Sequence, residues 1–197
     1  MRRLLDIGKE QLKKLLREMG KEAIKSLESA RKSLRGELNS AVEISSKLHI
    51  LRNEVLDIAT ELLIRYSPVA GDLRFIQSSI DVSYDLYRIS RYAMEIERTV
   101  KIVKAEESDI LKEGFELTIE AVKTAIKAFE NLDEVLAGKL LEIDNRVDEL
   151  YIISLKNLKD QTSSPVEALI MRHLERISDH AKEIGARVVY VKEGKRI

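Results

Sequence analysis

The chain has 197 residues, 44% hydrophobic and 35% charged, with 34 basic side chains, 34 acidic ones and no cysteine. That much apolar material supports a packed core and excludes a disordered chain. Balanced charge without a basic block gives no nucleic-acid footprint. Without cysteine there are no disulfides or thiolate metal sites, and no apolar run is long enough to span a bilayer. The opening stretch MRRLLDIGKEQ has basic residues but no apolar h-region, so no signal peptide is read and a cytoplasmic location is expected.

Strand alternation is absent and helical spacing runs throughout, so the expected class is all-α. The first predicted helix covers about 4–35, and Gly36 suits its C-terminal cap. The second, about 38–66, places Ile44, Leu48, Leu51, Val55, Ile58 and Leu62 on one stripe. Ser67-Pro68 reads as an N-cap serine and a first-turn proline for the third helix, about 68–105. Its stripe runs Phe75, Val82, Leu86, Ile89, Ala93, Ile96, Val100 and Val103. A break at Ala105-Glu106-Glu107-Ser108 precedes the fourth and fifth helices, about 108–131 and 133–160. The sixth, about 165–192, opens on Ser164-Pro165 and carries Ile170, Leu174, Ile177, Ala181, Ile184 and Val188. Steps of four and three are the seam of helices packed at a shallow angle. Short connections force neighbours antiparallel. The break at mid-chain gives two units, residues 1–106 and 107–197, each an antiparallel three-helix bundle.

The units carry an internal repeat. LYRISRYAMEI (86–96) and LERISDHAKEI (174–184) are identical at seven of eleven positions, at an offset of 88. Shared Arg, Ser and Glu point to duplication rather than to two similar amphipathic helices. The copies disagree where Tyr87 stands against Glu175 and Arg91 against Asp179. Glu175, Asp179 and Glu183 follow one another at four-residue steps and project from one face of the sixth helix. Two readings of that row are open. It can hold a metal ion, or it can be a solvated face with ion pairs Asp179–Lys182 and Glu183–Arg187. His173 and His180 flank the row, but His180 lies about 100° round the helix from Asp179. Asp72 and Arg74 read as first-turn charges or as a partner contact. Tyr66, Tyr84, Tyr87 and Tyr92 read as core-edge packing. No nucleophile–base pair, phosphate-cradling loop or Glu-x-x-His repeat is present, so no catalytic residue is assigned and no tight phosphate binding is expected.

The segments REMGKEAIKSLESARKSL (17–34), SPVAGDLRFI (67–76), LERISDHAKEI (174–184) and YVKEG (190–194) make the chain resemble the PhoU family across nearly its whole length. The resemblance implies two three-helix bundles related by an approximate twofold, and it allows a homodimer. It implies a cytoplasmic, non-catalytic regulator set between a phosphate ABC transporter and a sensor kinase, restraining uptake and the starvation response when phosphate is plentiful. The alternatives are an accessory role in another transport system, such as potassium uptake, a metal-binding or storage protein, and a metal-dependent enzyme. Some family members hold metal clusters through an acidic motif, Glu or Asp followed by Asp four residues on, once per repeat. The second copy is complete as Glu175 and Asp179, with Asp144 and Asp148 on the preceding helix and Glu183 one step further. The resemblance thus implies a metal ion or cluster in the second half only; Fe, Mn, Mg or Ca suits such carboxylates, and Zn does if His180 joins them. In the first half the matching positions are Ser45, His49, Tyr87 and Arg91, and a guanidinium repels a cation. Arg91 with His49 would suit a weak anion site instead.

Overall fold

The protein is described by a computed structural model covering residues 2–37, 40–160 and 164–196. Six α-helices account for it, with no strand among the described residues: α1 (Arg2–Ser33), α2 (Ala41–Tyr66), α3 (Ala70–Val103), α4 (Asp109–Asn131), α5 (Glu134–Lys159) and α6 (Pro165–Glu193). The ends follow local chemistry. Ser108 caps α4 by accepting from the Leu111 N–H at 3.2 Å, and Asp133 caps α5 by accepting from Val135 and Leu136. Ser164 accepts from the Val166 N–H at 3.3 Å, with Pro165 as the first helical residue, as its sequence suggests.

Ser67-Pro68 departs from the sequence expectation. Ser67 ends α2 in a left-handed conformation, φ 41°, its N–H donating to the Leu63 carbonyl. Pro68 lies in the connection, and α3 begins only at Ala70. A proline disfavours the right-handed helical region for the residue before it. Ser67 therefore stops one helix rather than starting the next.

The α1, α2 and α3 helices pack on one another, as do α4, α5 and α6. The halves join through α3 on α6 and α1 on α4, while α2 and α5 touch only helices of their own half. Cross-half contacts fix the directions. Arg74, Gln77, Asp81, Asp85 and Tyr92 on α3 meet Val191, Tyr190, Arg187, His180 and His173 on α6, in descending order. These two central helices are antiparallel. The repeat offset tests the twofold directly. Adding 88 to Asp85 and subtracting 88 from His180 turns the contact Asp85–His180 into His173–Tyr92, and both contacts exist. The pair Tyr92–His180 maps onto itself, so it lies on the axis.

One continuous core runs through both halves, from Leu5 and Leu12 on α1 to Val188 and Val191 on α6. The predicted stripe of α6 is wholly buried, and that of α3 is buried from Phe75 to Val100, with Val103 exposed past the end of the seam. Close helix approach needs glycine at Gly20, where a Cβ would come within 2.5 Å of Ile126 on α4. The GDLR stretch has a structural explanation. Asp72 binds Lys9 at 2.6 Å and Arg2 at 2.5 Å on α1, while Arg74 donates to the Val191 carbonyl at 3.0 Å. The α6 C-terminus carries partial negative charge, so Arg74 ties the two halves by capping it.

Candidate functional site

The α5–α6 hairpin gathers four of the five predicted acids. Asp144 and Asp148 stand one turn apart on α5, and Glu175 and Asp179 one turn apart on α6. Their proximity shows in Asp148, whose carboxyl is pushed up by burial and by the charges of Asp144, Glu175 and Asp179. Glu183 is not part of the group. It is half solvent-facing at 53% exposure, pairs with Arg187 at 3.9 Å, and its charge acts on Asp85 of α3. Eight residues past Glu175 the helix has turned by about 80° relative to it, enough to change neighbours.

Cations of the same helix enter the acid group. The Lys182 ammonium donates to Asp144 Oδ2 and, at 3.1 Å, to Asp179 Oδ1. Asp144 is nearly sealed, its side chain 2% exposed, and its other oxygen accepts from Ser178 Oγ at 2.8 Å. Arg176 forks onto Glu175 and reaches Asp179 at 2.9 Å, and Arg172 donates to Glu175 at 2.7 Å. Burial opposes charge on Lys182, yet hydrogen bonds to Asp144 and Asp179 outweigh it and push its pKa up to about 12. The hydrogen bond to Glu175 likewise raises Arg176. Both i+3 and i+4 pairs anticipated for a solvated face are formed, Asp179–Lys182 and Glu183–Arg187. What the helical spacing could not give is the reach of Lys182 across to α5.

The histidines face elsewhere. His180 Nδ1 lies 2.9 Å from Asp85 Oδ1 on α3, its ring between Tyr84 and Tyr92. His173 packs beside Tyr92, and burial holds its pKa down. Neither points at the acid group, as the 100° step from Asp179 to His180 requires. Burial raises Asp85, against the opposing pull of His180. Nothing in the sequence paired these two residues, although the repeat offset links them through Tyr92 and His173.

In the first half the four matching positions also converge. Ser45, His49, Tyr87 and Arg91 line one open groove of about 520 Å³ with Val42, Ser46, Ile50 and Met94. Ser90 Oγ lies 3.3 Å from Ser45 Oγ, the counterpart of Ser178 on Asp144. The register therefore survives although 31 residues separate Asp144 from Glu175 and 42 separate Ser45 from Tyr87. The His49 and Tyr87 rings are 5.5 Å apart, and Arg91, 42% exposed, reaches Glu95 at 4.0 Å.

The carboxylate donors of the second half are chemically suited to a hard cation. Their arrangement is not, because an ammonium already lies between Asp144 and Asp179. Among the described residues no three acidic or imidazole groups converge on a point that one ion could share. The family model described as PhoU domain matches residues 10–100 and 111–188.

The chain belongs to the PhoU family. Its similarity to curated relatives extends over most of both chains. It is 32% identical to the phosphate-specific transport system accessory protein PhoU homolog of Archaeoglobus fulgidus, over 91% of this chain and 90% of that one. It is 30% identical to PhoU homolog 1 of Thermotoga maritima, over 93% and 83%. The crystal structure of PhoU from Pseudomonas aeruginosa superimposes with a TM-score of 0.86, covering 96% of this chain and 99% of that one at 24% identity. That likeness carries the fold. Within this PhoU fold the acid group occupies the outer α5–α6 hairpin, away from the α3–α6 axis, and the donor-lined groove occupies the matching α2–α3 hairpin.

Proposed function

We propose that this PhoU-family protein is a non-catalytic accessory of a phosphate-specific transport system. In this reading it works in the cytoplasm and restrains phosphate uptake and the starvation response by contacts with a phosphate ABC transporter and its sensor kinase. The observation that carries the reading is the extent of the match to the Archaeoglobus fulgidus accessory protein, about nine tenths of both chains. The chemistry of the surface supports it. Both carboxylate oxygens of Asp144, Glu175 and Asp179 are held by neighbouring donors, which suits a rigid scaffold better than a reactive centre. The Asp85–His180 pair abuts tyrosine rings, and among the described residues no serine is hydrogen-bonded to His180. No helix among the described residues is long and apolar enough to cross a membrane, which leaves contact with a membrane-embedded partner to the protein's outer faces.

The test is deletion of the gene in its host, with phosphate uptake and a starvation-responsive promoter measured in phosphate-rich medium. The reading predicts that both rise and that the full-length chain restores them. Normal phosphate behaviour in the deletion, with a defect in potassium uptake instead, would move the protein to another transport system.

A further inference from the structure

We infer that Lys182 is a built-in counter-cation that takes the place of a metal ion in the second-half acid cluster. The inference goes beyond the regulatory reading and does not depend on it. A bridging ion would link carboxylates from α5 and α6, and the Lys182 ammonium already does so by contacting Asp144 and Asp179 together. The four clustered acids have eight carboxylate oxygens. Both of Asp144 are taken by Ser178 and Lys182, both of Asp179 by Lys182 and Arg176, and both of Glu175 by Arg176 and Arg172. Only Asp148 pairs with no cation at salt-bridge distance among the described residues. Calcium takes about six to eight oxygen ligands, and magnesium keeps water alongside its few carboxylates. One free carboxylate does not make such a site, so an entering ion must first expel Lys182 and loosen Arg176.

The charge count agrees. Four ionised acids carry a charge of −4, and Arg172, Arg176 and Lys182 supply +3, more than the +2 that one divalent ion would bring. The repeat agrees as well. The position matching Lys182 in the first half is Met94, in a groove whose matching positions hold no carboxylate. The lysine stands in the half that has the acids to hold it.

The test is titration of the purified full-length protein with Mn²⁺, reading free Mn²⁺ by electron paramagnetic resonance. The wild type should show no saturable binding at micromolar Mn²⁺. Lys182→Met should gain at least about tenfold in affinity, and adding Asp179→Asn to it should abolish the gain. Mn²⁺ should also raise the melting temperature of Lys182→Met and leave that of the wild type unchanged. Micromolar saturation of the wild type, or a folded Lys182→Met without any gain, would overturn the inference. If Lys182→Met does not fold, Lys182→Gln takes its place, and the wild-type titration alone still decides against the inference by saturating.

Discussion

At four matching positions the first half of the molecule carries Ser45, His49, Tyr87 and Arg91, and the second carries Asp144, Asp148, Glu175 and Asp179. Both sets sit on the outer hairpin of their bundle, in the same register, below the same serine, Ser90 or Ser178. The backbone plan has been kept while the charge has been reversed. The difference teaches which interactions build the fold. The apolar stripe facing inward fixes how α2 meets α3 and how α5 meets α6. The polar residues on the outer side can exchange sign, provided each half satisfies its own charges. The second half does so with Lys182, Arg176 and Arg172. The first half has little charge to satisfy.

The comparison breaks first at the core if the halves are not equivalent there. Leu86 and Leu174 are matched, and both are essentially inaccessible. Leu86→Ala and Leu174→Ala should each cost about 2–5 kcal/mol in urea unfolding, with similar values for the two. A cost confined to one of them would show that the shared core is unequal. Next comes the joint between the halves. Gly20→Ala drives a methyl into Ile126, and overpacking of this kind costs about 1–3 kcal/mol. The loss should shrink in the double variant Gly20→Ala/Ile126→Val, which a double-mutant cycle measures directly.

The polar sites should respond unequally. Asp144→Asn weakens a charge-assisted bond to Lys182, whose side chain is 35% exposed, so the discounted cost is about 1–2 kcal/mol. Ser45→Ala removes one neutral contact at 3.3 Å and should cost about 0.5–1 kcal/mol. Equal losses would remove the electrostatic distinction between the halves. The smallest effect depends on pH. Partial burial and the charges of Asp144, Glu175 and Asp179 raise the Asp148 carboxyl above its ordinary value. The folded chain then holds this proton more tightly than the unfolded chain does. The associated stability is fully present below the unfolded value and is lost as pH rises through the folded one. Asp148→Asn should therefore leave acid stability unchanged and raise neutral stability by about 0.3–0.5 kcal/mol after screening. Unfolding curves at pH 3 and pH 7 would show this, and a loss at pH 7 would mean that Asp148 is favourably paired.

Most of the fold was legible because the helices follow the seam rule so closely. Ile170, Leu174, Ile177, Ala181, Ile184 and Val188 were read as one buried stripe from spacing alone, and all are buried. Ser67 was misplaced because Ser-Pro signals both the start of a helix and, through the constraint on the residue before proline, the end of one. Four of the five acids read from the sequence meet in the group, since a four-residue step keeps side chains on one face. Glu183 fell outside because the step drifts with each turn. The neutralisation of the group was not legible. Lys182 shows in sequence only as the i+3 partner of Asp179, and its contact with Asp144 depends on how closely α5 and α6 approach. The pair Asp85–His180 was equally hidden, since it joins residues 95 apart across the twofold axis.

The measurement that tests the central contrast most directly is elemental analysis by mass spectrometry of the purified, untagged protein, with Asp179→Ala alongside. An acid cluster balanced by its own lysine and arginines predicts far less than one transition-metal or alkaline-earth ion per chain, with no difference in the variant. One or more ions per chain, lost in Asp179→Ala, would show that the carboxylates hold metal and that Lys182 is not their counter-cation.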